Sequence, residues 1–242
     1  MSHALVFDHV TKFYDSYAHL SGGLKNYLVN FFKPTPESEY SVVLKDLSFE
    51  IPHGQTVAFV GRNGVGKSTL LSLMAGVIVP NSGSVQVNGR VSSLLELGAG
   101  FHPDLTGREN ILLYGVLLGF RRHDILKRMQ TVIDFAEIED RIDIPVRFYS
   151  SGMLARLGFA VVSQLDPEIL LVDEVLAVGD FSFQAKCRAT MEKFKTEGRT
   201  IVIVSHAASD VLNFCDRAIY LRDKKIQMDG KPEDVMLAYQ GH

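Results

Sequence analysis

Nothing in these 242 residues is apolar for long enough to cross a bilayer. A membrane-spanning helix needs about 18 to 20 consecutive apolar residues. The longest apolar runs here, such as "ILLV" at 169–172, are strand-sized. A chain of this kind does not cross a membrane alone, although it can dock on a protein that does. The opening stretch, MSHALVFDHVTKFY, has no basic segment followed by a long apolar one, so no secretion signal is expected. Cysteine is scarce: Cys187 and Cys215 stand well apart and in no metal-ligand spacing. They read as buried, reduced thiols rather than a disulfide framework or a metal site. Excess charge is also missing. A net charge of -3 gives no global basic field to recruit nucleic acid. Internal repeats and low-complexity tracts are absent as well.

What is present is an alternation of apolar strands and helical runs. Hydrophobic residues make up 46% and charged residues 22%, which suits one large globular domain, with or without a small appendage. Residues 4–14 alternate as a first strand. Segments 43–51 and 55–60 read as strands joined by a Pro-His-Gly turn, and a helix is predicted from Gly66 to about Ala75. "SGSVQVNGRVSSLLEL" (82–97) reads as strands with a turn at Asn88-Gly89. Thr106 and Glu109 form a capping box, and 107–165 is predicted to be mostly helical. Buried strands follow at 168–175 and 200–206, with a helix over about 182–197 between them. Residues 217–230 read as a hairpin turning at Lys224-Lys225. This order implies an α/β domain with a mostly parallel core sheet.

Residues 15–42 differ in character, with Gly22-Gly23, Pro34 and Pro36. Within them Leu24, Tyr27, Leu28, Phe31 and Phe32 fall on one helical face. Two readings stand for that short amphipathic helix. It packs on its own domain, or it faces a membrane or a partner.

The chemistry concentrates in "GRNGVGKST", 61–69. Gly61, Gly64 and Gly66 let the backbone curl so that N–H groups point at phosphate oxygens. The rest of the loop is Arg62, Asn63, Val65 and Thr69. Lys67 brings positive charge to the β- and γ-phosphates of a nucleotide, and the Ser68 hydroxyl can ligate Mg²⁺. An acid at a strand end should complete the site. Asp173 follows four apolar residues and emerges where ligands bind in such sheets, suited to hold Mg²⁺ through water. Glu174, next to it, can polarise an attacking water as general base. His206 ends the strand "TIVIVSH" and can hydrogen-bond the γ-phosphate.

One stretch needs a different explanation. "RFYSSGMLAR" (147–156) starts a helix at Ser150, Ser151 and Gly152, a second anion-binding position some eighty residues beyond the first. The order phosphate loop, "SSGM", "ILLVDE", "VGD", "SH" resembles the ATP-binding cassette (ABC) ATPases. The resemblance covers nearly the whole chain from Val6 to the hairpin. It implies a P-loop NTPase fold of the ABC ATPase type, with a mostly parallel core sheet, an antiparallel β subdomain and a helical subdomain over about 100–165. "YSSGM" stands where the family has its Leu-Ser-Gly-Gly-Gln signature, with Ser151 for the first glycine and Met153 for the glutamine. In the family that helix start binds the ATP held by a second subunit, so the resemblance implies a head-to-tail homodimer with two ATP molecules between protomers. Asp180 in "AVGD" matches the family's D-loop. Tyr14, with Phe13 beside it, falls where the family stacks an aromatic ring on adenine. The family's Mg²⁺-sensing glutamine is missing. Glu96 or Leu97 stands at its place, and Glu96 is the candidate substitute.

"ELGAGFHP", "LTGREN", "YSSGM" and "DEVLAVGD" together resemble one subgroup, the ATPases that export surface polysaccharides such as O antigen, and teichoic acids. That implies an ATP-hydrolysing subunit, peripheral on the cytoplasmic face of a bacterial inner membrane. It would work with an integral-membrane subunit and no nucleic acid. Many O-antigen members add a C-terminal carbohydrate-binding domain, which is not expected here because the chain stops soon after the cassette. Export of a lipid or small molecule is the competing reading. DNA-repair and translation ATPases fit poorly, because there is no long coiled-coil insertion and only one cassette. A catalytically dead module is disfavoured by the presence of Lys67, Asp173, Glu174 and His206.

Overall fold

The computed structural model describes residues 2–15, 40–94, 100–173, 179–205 and 207–241. The proposed amphipathic face at 24–32 lies outside them, as do Glu96, Glu174 and His206.

Two sheets organise the chain. Strands β1 (His3–Asp15), β2 (Tyr40–Pro52) and β4 (Ser82–Val87) form a three-stranded antiparallel sheet in the order β2-β1-β4. The larger sheet takes β3 (Thr56–Val60), β5 (Val91–Ser93), β6 (Ile169–Asp173), β7 (Thr200–Val204), β8 (Arg217–Arg222) and β9 (Lys225–Gly230). Its order is β5-β6-β7-β3-β8-β9, parallel throughout except for the β8–β9 pair.

Successive side chains on a strand point to opposite faces, and both faces of the central strands are covered. Ala58, Val60, Leu170, Val172, Ile201 and Ile203 point into one core. Val57, Phe59, Ile169, Leu171, Val202 and Val204 point into another. That is why these strands read as unbroken apolar runs rather than alternating ones. The first core is closed by helices α2 (Gly107–Leu117), α3 (Arg122–Ala136), α4 (Ser151–Gln164) and α5 (Phe181–Thr196). The second is closed by the antiparallel sheet and by α1 (Lys67–Met74), with Phe49 lying between Phe7 and Phe59 at ring separations of 4.5 and 5.3 Å. Each fully buried Leu or Phe in these clusters contributes about 1.5–3 kcal/mol. Cys187 and Cys215 are free thiols within the first core, and burial pushes both up to about 12.

The capping box forms as expected. Thr106 Oγ1 accepts from Glu109 N at 3.2 Å, and Glu109 Oε2 accepts from Thr106 N at 2.8 Å. Asn110, fully buried, donates its amide to the carbonyls of His102, Leu105 and Thr106 and accepts from His102 N, which fixes the turn before α2.

Several expectations needed correction. Strands do flank Asn88-Gly89 as expected, but they go to different sheets, β4 to the antiparallel sheet and β5 to β6. The helical run breaks between α3 and α4 into two short 3-10 turns, Glu139–Arg141 and Val146–Phe148. The final hairpin turns at Asp223-Lys224, one residue earlier than predicted. Both residues have positive φ, 51° and 68°, and Arg222 pairs with Lys225. Tight two-residue hairpins need that geometry, usually through Asn or Gly, so an Asp-Lys pair gives a weak signal. Helices α6 (Ala208–Phe214) and α7 (Pro232–Gln240) lie outside the elements predicted from the sequence. For α7 the signal was there: Pro232 opens it, and Glu233 and Asp234 sit in its first turn. No helix among the described residues is long and apolar enough to cross a membrane.

Candidate active site

Strand β3, buried throughout, delivers the 61–69 loop at the C-terminal edge of the parallel sheet, and α1 leaves from it. Two close approaches explain the glycines. A Cβ on Gly61 would stand 2.6 Å from the Leu221 carbonyl oxygen. One on Gly66 would stand 2.6 Å from Leu44 Cδ2, and Gly66 has φ 110°, where a side chain is strained. Gly66 caps α1 without any side-chain hydrogen bond, and the first turn holds no acidic residue. A helix start of that kind suits an anion. Lys67 is only 7% exposed, and its ammonium donates to the carbonyls of Gly61 at 2.6 Å and Arg62 at 3.2 Å. Ser68 is exposed and Thr69 half-buried on the same turn, while Arg62 and Asn63 face solvent. A cleft of about 340 Å³ separates residues 62–65 from the β8–β9 turn.

Asp173 lies at the same sheet edge. It pairs with Val204 of β7, and Val204 pairs with Phe59 of β3. The three residues form one row across the sheet, so Asp173 stands two strands from the loop and level with its root. The carboxylate is half-buried at the strand end. Ser205, just past β7, is buried and accepts from Ala207 N at 3.0 Å. Tyr14 lies near the end of β1, 44% exposed, paired with Ser41. Phe13 packs edge-on against Tyr40 at 4.7 Å instead, so of the two adjacent rings Tyr14 is the one left open.

The second helix start is built differently. Ser150 is the N-cap of α4 and accepts from Met153 N at 3.2 Å. Ser151 is exposed. Gly152 needs neither a left-handed backbone nor internal space: a Cβ there would meet nothing nearer than Ser150 Oγ at 3.9 Å. A cleft of about 570 Å³ runs from Ser150–Met153 to Gly179 and Asp180. It shares no residue with the cleft at the phosphate loop. One chain therefore keeps its two helix starts in separate clefts.

Asp180 caps α5, accepting from Phe183 N at 3.0 Å and Ser182 Oγ at 2.8 Å. It also accepts from Arg156 of α4 at 2.5 Å. Arg156 reaches Glu137 with its other arm at 3.0 Å and lies over the Phe183 ring, and Lys186 also donates to Glu137 at 2.9 Å. These contacts tie α4, which starts at 151, to the Asp180 cap of α5. The Phe183 N–H, then the Ser182 hydroxyl and Arg156, hold the Asp180 carboxyl below its usual range. Lys186, then Arg156, do the same for Glu137. Both carboxylates are thus charged at neutral pH, and the network weakens only as the pH falls below the ordinary carboxylate range. Sequence reasoning missed Arg156 and Glu137. Glu137 has a left-handed backbone, φ 56°, as the C-cap of α3, which no local pattern announces.

Among the described residues no cluster of three or more His, Cys, Asp and Glu could hold a metal ion by itself. Ser68 and Asp173 at one sheet edge instead suit a cation that keeps nucleotide phosphates and water as its other ligands, as Mg²⁺ does.

Comparison with known proteins agrees with this geometry. Residues 44–177 match the family described as "ABC transporter". The chain is 49% identical over 243 residues to the O-antigen export system ATP-binding protein RfbB of Klebsiella pneumoniae, covering 99% of this chain and 98% of that protein. It is 42% identical to the teichoic acids export ATP-binding protein TagH of Listeria innocua, covering 97% of this chain and 69% of that one. Among solved structures, a dimeric ATP-binding cassette in a post-hydrolysis state with ADP and Pi superposes with a TM-score of 0.72 at 22% identity, covering 94% and 98% of the two chains. Fold, phosphate loop and relatives agree: this chain belongs to the ABC transporter family, as one of its ATP-hydrolysing cassettes.

Proposed function

We propose that this cassette powers export of a lipid-linked polysaccharide of the O-antigen type, as a homodimer on a separate transmembrane subunit at the cytoplasmic face of the inner membrane. The observation that carries the cargo is the 49% identity to an O-antigen export ATP-binding protein over almost the full length of both chains. Teichoic acid export is the second reading, supported by the 42% identity to TagH. The whole chain is taken as one nucleotide-binding domain, with 15–42 as an insertion and about 100–165 as its helical part.

In this reading Gly61 to Gly66 cradle the phosphates of ATP through backbone N–H groups, and Lys67 pairs with the β- and γ-phosphates. Tyr14 stacks on the adenine. Ser68 and Asp173 hold Mg²⁺, with Glu96 as a further candidate. Bound there, Mg²⁺ would offset the negative charge of the phosphates. Glu174 takes the proton of the attacking water, and His206 orients it against the γ-phosphate. Ser150, Ser151 and Gly152 bind the γ-phosphate held by the other protomer, and Asp180 lies across that interface. The separate clefts support the pairing, since a helix start with a side-chain-free Gly152 is useful to a ligand arriving from outside. Closing on two ATP molecules supplies the mechanical work, and hydrolysis resets the dimer.

Two experiments test this. Gly152→Asp should leave the melting temperature and ATP binding of the monomer near wild type, because no internal atom crowds the site. It should also abolish ATP-dependent dimerisation in sedimentation. A variant that still dimerises with ATP removes the 150–152 helix start from the interface. The cargo is tested in cells by deleting the gene and following glycan. Loss of surface glycan with lipid-linked glycan retained inside, restored by wild type and not by Glu174→Gln, is expected. Unchanged surface glycan would leave the ATPase standing and move lipid or small-molecule export to the front.

A further inference from the structure

We infer that Lys12 is a positioning residue for the nucleobase, holding the Tyr14 ring from one side so that its other face receives the base. The inference rests on the reading of Tyr14 as the adenine platform and says how that platform is kept in place. Lys12 and Tyr14 lie two apart near the end of β1, where the pairing with β2 shifts between Lys12 and Phe13. The Lys12 ammonium lies 5.2 Å from the Tyr14 ring centroid, within the range of a cation–π contact. It also donates to the Val79 carbonyl at 2.9 Å.

That carbonyl belongs to a stretch clamped to the same strand. Asn81 N donates to Thr11 O at 2.9 Å, and the Asn81 side chain accepts from Phe13 N at 3.0 Å. The ammonium is therefore tethered at a fixed point rather than swinging in solvent. A ring with a cation fixed over one face offers a planar ligand the other.

The platform stands close to the phosphates. Tyr14 pairs with Ser41, and Val43, two residues further along β2, lies against Gly66, whose missing Cβ would come within 3.1 Å of Val43 Cγ1. The ligand class is a purine nucleotide bound by its base at Tyr14 and by its phosphates at 61–69. The sequence pattern alone did not single out Lys12, because its partner Val79 is distant in the chain.

The test compares two ligands by calorimetry: ATP, and inorganic tripolyphosphate, which has the phosphates without the base. Lys12→Met should weaken ATP about three- to tenfold and leave tripolyphosphate unchanged. In turnover this should appear as a raised KM with kcat held. Lys12→Arg, which keeps a cation able to cover the ring, should restore ATP affinity. Lys12→Met added to Tyr14→Leu should have no further effect. If Tyr14→Leu weakens ATP and Lys12→Met does not, the inference is wrong while the platform stands. Equal weakening of both ligands, or failure of Lys12→Arg to rescue, also overturns it by pointing to a general structural role. If Tyr14→Leu itself leaves ATP affinity unchanged, the platform reading fails, and the role of Lys12 falls with it.

Discussion

Replacing Glu174 by Gln is expected to cut ATP hydrolysis by about 10²- to 10⁴-fold, the usual contribution of a positioned general base. The amide keeps the size and one hydrogen-bonding oxygen of the carboxylate but cannot accept the proton of the attacking water. Nucleotide binding should survive, because the loop of 61–69 and Lys67 are untouched. ATP should then trap the closed dimer, which sedimentation or light scattering reads directly. The position follows from the strand before it. Asp173 stands in one row with Val204 and Phe59, at the sheet edge where the 61–69 loop begins, and Glu174 is the next residue in the sequence. Turnover at the wild-type rate would show that another group activates the water.

Lys67→Ala should act one step earlier, on ATP affinity. Hydrogen bonds to charged groups contribute about 1.5–3 kcal/mol each, so losing a single one to the phosphates lowers affinity roughly 10- to 100-fold. The ammonium is almost wholly buried and donates to the carbonyls of Gly61 and Arg62. Its removal also deprives the loop of an internal tie, and a lower melting temperature is expected. Calorimetric titration at a temperature well below the melt separates the two effects. Unchanged ATP affinity in folded protein would count against the loop as the phosphate site.

Much of this was legible in the chain itself. A Gly-rich loop between a buried strand and a helix is a local pattern, and so are the capping box at Thr106 and Glu109 and the apolar strands ending in Asp173. Their chemistry is written in contiguous residues. The less legible parts depend on contacts between distant ones. Arg156 joins Glu137 and Asp180 only because α3, α4 and α5 pack together. The division of the segment around Asn88-Gly89 between two sheets depends on β1 and β6, far off in sequence. The short helix α6 lacks a side-chain cap, and with few residues its periodicity is weak. Likewise the open surroundings of Gly152 are not legible in the sequence, since the helical pattern does not say which atoms face it.

The pairing of Asp15 with Tyr40 across β1 and β2 has an architectural consequence. The chain leaves the antiparallel sheet and re-enters it at neighbouring positions, so the ladder is already closed at that point. A two-residue turn of Asn-Gly type satisfies the same geometry. The corner is thus a finished edge, where the two strands hold each other in step through their own ladder.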